Sequence, residues 1–212
     1  AGDVNPDDAT AAVARTFAHW KPADPSEGPS TTPAVPTATH IYLVNRPNAV
    51  QSQIRIGQLG VRRTDPRYFT TRMINGYFGS AFGSRLMRSL RVEKGLTYGA
   101  RGGYSARRFA GTFIVRTFSK TESTAAAVAA AMEQLERLQS EPPSDRELST
   151  TITFFQGSFA RYHETPQSVA DDLMLLETQH LPRTYFQDLL EAVAATDADD
   201  CTSVVRQTLD PR

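Results

Sequence analysis

The chain has 212 residues, 40% of them hydrophobic, and its 23 basic residues balance its 23 acidic ones. This length allows one large domain with a substantial core, or two small domains. The sequence has no apolar run near the ~20 residues of a membrane span, and no basic stripe that would favour nucleic acid or anionic lipid as the partner. Cys201 is the single cysteine, which excludes an internal disulfide.

The first predicted element is a helix within residues 1–20. Asn5-Pro6 combines a capping side chain with proline at the first helical position, and acidic residues follow in the first turn. Three large apolar residues recur at helical spacing, which predicts a face packed in the core. They are Val13, Phe17 and Trp20.

Residues 21–39 differ in composition from the segments on either side. Five prolines stand among serine, threonine and alanine, which predicts an extended linker between the opening helix and a single α+β domain over residues 40–212. The opening residues 1–4 have the pattern of the end of a strand. We therefore expect the chain to be an excised part of a longer protein, whose targeting cannot be judged from it.

Two strands are predicted next, over residues 40–46 and 50–61, with Pro47-Asn48 as the turn of an antiparallel pair. Asp65-Pro66 then predicts a helix start by the same capping logic. This helix carries an apolar face and leads into a stretch rich in glycine. The face consists of Phe69, Met73, Tyr77 and Phe78.

The glycine-rich stretch, residues 75–104, contains more glycine than ordinary surface turns need. The first helix is predicted to end at Gly79, and a second to begin near Ser84 and stop at Gly95. Alternating residues then predict a strand over 96–104, and a hairpin at 106–109 joins it to a further strand over 110–119.

The remainder is predicted to be helical. Residues 121–139 form one helix, and capping patterns at Ser144 and at Thr165-Pro166 begin two more. The last two helices cover residues 185–195 and 196–209. The pattern as a whole is α+β, with helices flanking a sheet of at least four strands in hairpin-like connections.

Common catalytic signatures are missing from the sequence. A zinc peptidase helix of the type H-x-x-E-H needs two histidines four residues apart, and His163-Glu164 has no such partner. Cys201 lies beside aspartates that would oppose a thiolate, so it is interpreted as a small buried residue. The loop from Gly79 to Gly83 lacks the lysine of a phosphate-binding loop.

Arg91 and Tyr98 stand seven positions apart on either side of the turn at Gly95, so both side chains can reach one space. A guanidinium and a phenol are suitable donors to substrate carbonyls. The alternative is structural: Arg91 forms a surface ion pair, for example with Glu93 or Glu147, and Tyr98 packs in the sheet. The residues by themselves leave both interpretations open.

At these positions the sequence resembles the pitrilysin, insulinase and mitochondrial processing peptidase family of zinc metallopeptidases, in its zinc-free, inactive C-terminal half. The matching residues are Asn75, Gly79, Ser84-Arg85-Leu86, Leu90-Arg91, Glu93-Lys94, Gly95-Leu96-Thr97-Tyr98 and Gly99. The opening Gly2-Asp3-Val4 and residues 50–54 also resemble this half. The loop departs from the family, which often has a Gly pair and a Ser pair where this chain has Gly79-Ser80 and Gly83-Ser84.

The resemblance implies an antiparallel sheet with helices over one face and no metal site in this chain. It places the zinc in a homologous partner half, in the same polypeptide or in a separate subunit, and predicts that the two halves enclose a peptide substrate. The implied site comprises Arg91 and Tyr98, which bind substrate carbonyls, and the loop residues Gly79, Gly83, Ser84 and Arg85. A bacterial periplasm or cell envelope is the implied location. The family also contains non-catalytic structural or assembly subunits, which is the alternative function.

Overall fold

The computed structural model describes residues 2–21 and 33–210 and has an α+β fold. Its strands are β1 (Gln51–Gly60), β2 (Ala100–Ser105) and β3 (Gly111–Lys120). Its α-helices are α1 (Pro6–Thr16), α2 (Tyr68–Asn75), α3 (Arg85–Met87), α4 (Thr124–Ser140), α5 (Asp145–Tyr162), α6 (Pro166–Gln179), α7 (Tyr185–Ala195) and α8 (Ala198–Thr208). The π-helical segments Gly76–Ser80 and Arg88–Glu93 continue α2 and α3, and a 3₁₀ turn, Thr121–Ser123, precedes α4.

The strands form an antiparallel sheet in the order β1-β3-β2. Thr117 of β3 pairs with Ile54 of β1 and with Ala100 of β2, and all three are buried. Burial alternates along β3, so only one face of the sheet is covered. Helix α4 contacts β3 and β1 on this face, and α2 contacts β2. The α+β prediction, including helices over one face, is confirmed.

The main core fills the space between the sheet and the helices. Phe113 lies at its centre, with its ring centroid 4.8 Å from that of Tyr104 and 5.8 Å from that of Phe78. Helix α4 presents small buried residues to the strands, which lets the helix approach the sheet closely. They are Ala127, Ala130 and Ala131. A second, smaller cluster at the turn between β2 and β3 contains Val61, Tyr68, Ala106 and Tyr185.

The strand predicted over residues 40–46 is not formed. This segment is extended, but its backbone has no strand partner in the part of the chain that the structure describes. The side chains from Ile41 to Val44 are 85–92% exposed. The prediction failed because a local apolar pattern favours a strand without supplying the partner. The described sheet therefore has three strands and not the four or more that were expected.

Helix α1 begins as predicted, because the Asn5 side chain accepts hydrogen bonds from the backbone of Asp7 and Asp8. Its apolar residues, however, are not core. Val13 is 58% exposed, Phe17 46% and Trp20 76%, and no residue of α1 is buried. The rings of Phe17 and Trp20 pack edge to face on each other. The helical spacing was correct, but no other described element covers this face.

Three element boundaries also differ from the predictions. Strand β2 begins at Ala100, not at residue 96. Helix α2 begins at Tyr68, because the Asp65 carboxylate holds the backbone and side chain of Arg67 in a turn before it. Helix α8 is capped by Asp197, whose side chain accepts from the backbone of Asp200. In α4, Val128 is 36% exposed and does not belong to the buried stripe.

Other local predictions are confirmed. The capping box of α5 is complete, since Ser144 and Glu147 each accept from the other's backbone. Helix α7 covers residues 185–195 as predicted. The linker over residues 21–39 stays a prediction, because residues 22–32 lie outside the described residues. Residues 33–39 are exposed and form neither helix nor strand.

Candidate functional site

The predicted site is built on the π-helical segment that ends before Gly95. The wider turns of this segment place the backbone N–H of Lys94 3.0 Å from the carbonyl oxygen of Ser89, five residues earlier. Leu96 N donates to Leu90 O at 2.9 Å, which closes the end of the helix. Gly95 has φ +60°, a left-handed conformation that favours glycine. The predicted stop is confirmed, and Arg91 lies in the last turn before it.

Asn75 fixes this loop region to the sheet. Its side-chain amide donates to the Tyr104 carbonyl at 2.8 Å and accepts from the Tyr104 backbone N–H at 2.6 Å. Gly103 has φ +152°, and a Cβ there would lie 2.3 Å from the Asn75 side-chain oxygen. Only glycine therefore permits this clamp. The sequence marked Asn75 as part of a motif but gave it no role, and its position beside β2 supplies one.

The glycine-rich loop has mainly structural contacts. Gly79 packs directly on β2, because a Cβ there would lie 2.3 Å from the Gly102 carbonyl oxygen. Gly83 has open space around its Cα. Ser84 precedes α3 and is 2% exposed, and its hydroxyl has no hydrogen-bond partner among the described residues. The loop thus holds the chain against the sheet and brings α3 into position.

Arg91 lies against two exposed aromatic rings. Its Cζ is 4.3 Å from the ring centroid of Tyr98 and 5.0 Å from that of Phe82. Tyr98 is 75% exposed and Phe82 68%. Cation–π contact of this kind holds a guanidinium in place while its N–H groups stay available as donors. The structure therefore brings Arg91 and Tyr98 together.

The acidic partners considered for Arg91 bind other arginines. Glu93 pairs with Arg88 at 2.9 Å, and Glu147 pairs with Arg85 at 2.7 Å. Within the described residues, Arg91 forms no ion pair. A guanidinium without a carboxylate partner keeps its donors for another acceptor, such as a carbonyl or carboxylate oxygen.

Tyr98 does not pack in the sheet. It precedes β2 in a short loop that the Thr97 hydroxyl shapes, donating to Gly99 O at 3.0 Å and accepting from Gly99 N at 3.1 Å. The alternation read from the sequence placed Tyr98 on the same side as Ala100, but Ala100 is buried and Tyr98 is exposed. In the described part of the chain the Tyr98 hydroxyl has no hydrogen-bond partner. Arg91 and Tyr98 together can offer several donors to one acceptor group.

Arg85, another predicted site residue, is held inside the fold. Its side chain is 12% exposed and donates twice to the Glu147 carboxylate, at 2.7 and 2.9 Å. It also donates to the carbonyls of Glu141 and Pro142. Burial by itself would raise the pKa of Glu147, but hydrogen bonds from Arg85 and Ser144 outweigh burial and lower this pKa to about 2. Arg85 therefore joins α3 to the start of α5.

Phe82 was not among the predicted site residues, although its ring completes the stack on Arg91. Its signal was an aromatic residue between glycines in an exposed loop, where no core pattern explains a large ring. Together with Tyr98 and the 65% exposed Val92, Phe82 gives this surface an apolar character. We call the surface formed by Phe82, Arg91, Val92 and Tyr98 the Arg91 surface.

Other reactive residues have structural environments. Cys201 is fully buried, and burial together with Asp200 and Asp197 raises the pKa of its thiol to about 12, as its position among aspartates suggested. His163 ends α5 and contacts Asp172 through Nδ1, between the rings of Phe159 and Phe186. No group of three or more metal-ligating side chains occurs in residues 2–21 and 33–210.

No helix within the described ranges combines the length and apolar character needed to cross a bilayer.

Known structures share this fold, and a curated sequence is similar to this chain. The inactive domain of an M16 peptidase from Pseudomonas fluorescens superposes with a TM-score of 0.85 at 24% identity, covering 99% of this chain and 49% of that one. The periplasmic protease PqqL from Escherichia coli superposes with a TM-score of 0.72 at 17% identity, covering 98% of this chain and 23% of that one.

A curated sequence from Streptomyces coelicolor, described as an uncharacterized zinc protease, is 23% identical over 192 residues, which is 91% of this chain and 41% of the relative. The chain thus spans less than half the length of these relatives. The sequence profile described as the Peptidase M16 inactive domain matches residues 1–154. The chain therefore belongs to the M16 peptidase family, as one of its inactive domains.

Proposed function

We propose that this chain is the substrate-binding, zinc-free half of a zinc metallopeptidase and that it completes a peptide-hydrolysis chamber with a zinc-bearing half. The observation that carries the proposal is the Arg91 surface. Arg91 is held over Tyr98 without a carboxylate partner among the described residues, and the Tyr98 ring is 75% exposed. A purely structural arginine would be expected to use its donors within the fold, as Arg85 does.

The two side chains suit different parts of peptide hydrolysis. The Arg91 guanidinium offers fixed N–H donors that orient substrate carbonyls, and the Tyr98 hydroxyl can donate to the oxygen that gains negative charge in the transition state. A zinc ion in the other half would supply an activated water. The proposal assigns the ligands of that ion to the partner half, and the described residues of this chain contain no group of three or more metal-ligating side chains.

The proposed partners are a peptide and a zinc-bearing homologous half, either in the same polypeptide or in a separate subunit. The relatives are more than twice as long as the matched region, which leaves room for a second half of similar size. A periplasmic or cell-envelope location is proposed on the likeness to the fold of the periplasmic E. coli protease.

The test is peptide hydrolysis by the complete protein, with its zinc-bearing half, carrying Tyr98→Phe or Arg91→Ala. Loss of one transition-state donor in a water-excluded site typically lowers turnover on the order of 100-fold. We therefore expect Tyr98→Phe to lower kcat by about this factor, with Tm unchanged because the hydroxyl is exposed. Arg91→Ala is expected to lower kcat/KM for the same peptides.

A second arginine–tyrosine contact supplies matched controls. Arg161 Cζ lies 5.6 Å from the ring centroid of Tyr162, which is 62% exposed. Arg161→Ala and Tyr162→Phe remove the same groups from the end of α5 and are expected to leave kcat and KM unchanged. Wild-type kinetics in both Arg91→Ala and Tyr98→Phe would show that the Arg91 surface does not serve hydrolysis.

A non-catalytic assembly subunit is the second candidate, and the exposed apolar part of the Arg91 surface favours it. Phe82, Val92 and Tyr98 are each at least 65% exposed, and the rings of Phe82 and Tyr98 both lie against Arg91. Exposed apolar side chains of this kind are also typical of a protein contact. Phe82→Ser distinguishes the two functions. Loss of association with the partner half, together with normal kinetics in Tyr98→Phe, would support the assembly function.

A further inference from the structure

A second surface that contains arginine side chains lies at the opposite end of the sheet from Arg91. Strand β1 ends beside the turn that joins β2 to β3, and helix α6 passes close to this turn. The three elements enclose an open groove of about 580 Å³. Its lining includes Arg63, Arg107, Arg108, Phe109, Leu175 and Gln179. We call it the hairpin groove.

Arg63 is half-buried at the base of this groove and contacts only neutral groups. Its guanidinium donates to the hydroxyls of Tyr68 and Tyr185 and to the Ala106 carbonyl, and it lies over the Tyr68 ring. Its Nε is buried and has no hydrogen-bond partner among the described residues. Buried cations in proteins are normally matched by an anion, because removing a charge from water is costly.

Arg107 and Arg108 add two more positive charges at the rim. Arg108 contacts His180 Nε2 at 3.1 Å and lies over the Phe109 ring, while the Arg107 carbonyl accepts from Arg63 N at 2.8 Å. Within residues 2–21 and 33–210 these three arginines have no ion pair. Among the described residues no carboxylate pairs with the positive charges of this groove, which favours an anionic ligand.

The groove also contains an acceptor and an apolar wall. Gln179 Oε1 is buried without a hydrogen-bond partner in the described structure, so it needs a donor. The half-buried Leu175 and the Phe109 ring present apolar surface beside it. A simple anion such as phosphate would satisfy the arginines and could donate to Gln179 through a P–OH group, but it has no apolar part to contact the Leu175 and Phe109 wall.

We propose that the hairpin groove binds the free carboxyl-terminal residue of a peptide. The α-carboxylate accepts from the guanidinium groups of Arg63, Arg107 and Arg108. The last peptide N–H donates to Gln179 Oε1, and an apolar terminal side chain lies against Phe109 and Leu175. The choice of a peptide rests on the proposed function, whereas the requirement for an anionic group rests on the charges of the arginines alone.

The experiment uses the complete protein, treated with a chelator so that peptides stay intact. Calorimetry compares the hexapeptide Ala-Ala-Ala-Ala-Ala-Leu as the free acid with the same peptide as its C-terminal amide, and with inorganic phosphate. We expect the free acid to bind at least tenfold more tightly than the amide, and phosphate to bind more weakly than the free acid. Equal affinity of acid and amide, or phosphate binding as tightly as the acid, would overturn the proposal.

The variants are chosen to leave the fold intact. The double variant Arg107→Gln/Arg108→Gln changes exposed residues only and is expected to abolish the preference for the free acid. The matched control is Arg101→Gln/Arg116→Gln, a directly paired set of exposed arginines on the sheet outside the groove. An equal loss of preference in the control would assign the effect to net charge and reject the groove.

This outcome is independent of the Arg91 surface. Normal kinetics in both Tyr98→Phe and Arg91→Ala, with a retained preference for the free acid, would reject the proposed function and keep the hairpin groove. A strongly reduced kcat in Tyr98→Phe, with no preference for the free acid in the unmodified protein, would support the proposed function and reject the hairpin groove.

Discussion

Arg85 and Arg91 lie on the same helical segment but have opposite environments. The Arg85 side chain is 12% exposed. It donates two hydrogen bonds to the Glu147 carboxylate and one to each of two backbone carbonyls. Arg91 lies over the exposed rings of Phe82 and Tyr98 and has no carboxylate within the described residues. The resemblance to the peptidase family had placed both arginines in one site.

The difference comes from the elements that each arginine faces. Arg85 begins α3 and points at the start of α5, where the Glu147 carboxylate already accepts from Ser144. Arg91 follows in the π-helical continuation of α3, beyond the reach of that carboxylate, and Glu93 is held by Arg88. The comparison teaches that the neighbouring carboxylates decide which arginine stabilises the fold and which can bind a ligand.

The largest expected effect is on stability. Arg85→Ala leaves the Glu147 carboxylate without its partner in a partly buried site, and we expect the free energy of unfolding to fall by about 2 kcal/mol. Arg91→Ala should change it by less than about 0.5 kcal/mol, as is usual for exposed positions. Urea unfolding followed by circular dichroism measures both. Equal losses of stability in the two variants would contradict the assignment of a structural role to Arg85 and not to Arg91.

The second expected effect is a pH dependence of the free energy of unfolding. It is expected for the ion pair of Arg85 with Glu147 and not for Arg91. The pKa of Glu147 is lowered from 4.5 to about 2, against the effect of burial, by hydrogen bonds from Arg85 and Ser144. A lowered folded-state pKa stabilises the protein above the unfolded value, so this contribution is complete above about pH 4.5 and is lost as pH falls toward 2.

Unfolding measured between pH 6 and 2.5 (about the range in which this carboxyl changes its protonation) tests this linkage. Glu147→Gln should flatten the acid side of the stability curve, whereas Arg91→Ala should keep the slope of the unmodified protein. An unchanged slope in Glu147→Gln would mean that other carboxylates cause the acid sensitivity.

The smallest expected effect concerns Arg88, whose ion pair with Glu93 is exposed on both sides. Arg88→Gln should lower the free energy of unfolding by no more than about 0.5 kcal/mol, because an exposed ion pair contributes little. In 1 M salt, where the Debye length is about 3 Å, the variant and the unmodified protein should be equally stable. Chemical denaturation in urea at low and high salt measures it. A loss of stability in Arg88→Gln as large as that in Arg85→Ala would show that exposure does not determine how much each ion pair stabilises the fold.

The sequence was sufficient for features set by a few neighbouring residues. Caps such as Asn5 and Ser144, the stop at Gly95, and the strands β1 and β3 follow from local chemistry and alternation. The sequence was insufficient where the structure of a segment depends on contact with a residue far away in the chain. The segment 40–46 had a strand pattern without a partner strand, and α1 had an apolar stripe that no described element covers.

The candidate site shows the same limit. The motif positioned Arg91 and Tyr98 at one turn, but Glu93 and Glu147 were equally possible partners for Arg91 in the sequence. Tertiary packing gave Glu147 to Arg85 and Glu93 to Arg88. The π-helical turns had no recognisable pattern in the sequence. The position of Phe82 between glycines marked the residue but not its contact with Arg91, because a guanidinium–ring contact depends on where the loop returns in space.

We expect the exposed segment from Ile41 to Val44 to promote association of the chain at high concentration. Four successive apolar side chains that are 85–92% exposed, on an extended backbone, form an adhesive edge of the kind that seeds aggregates. Globular proteins usually blunt such edges with lysine, proline or a covering element. The colloidal stability of the chain therefore depends on how this short run is covered, and much less on the compact core beneath the helices.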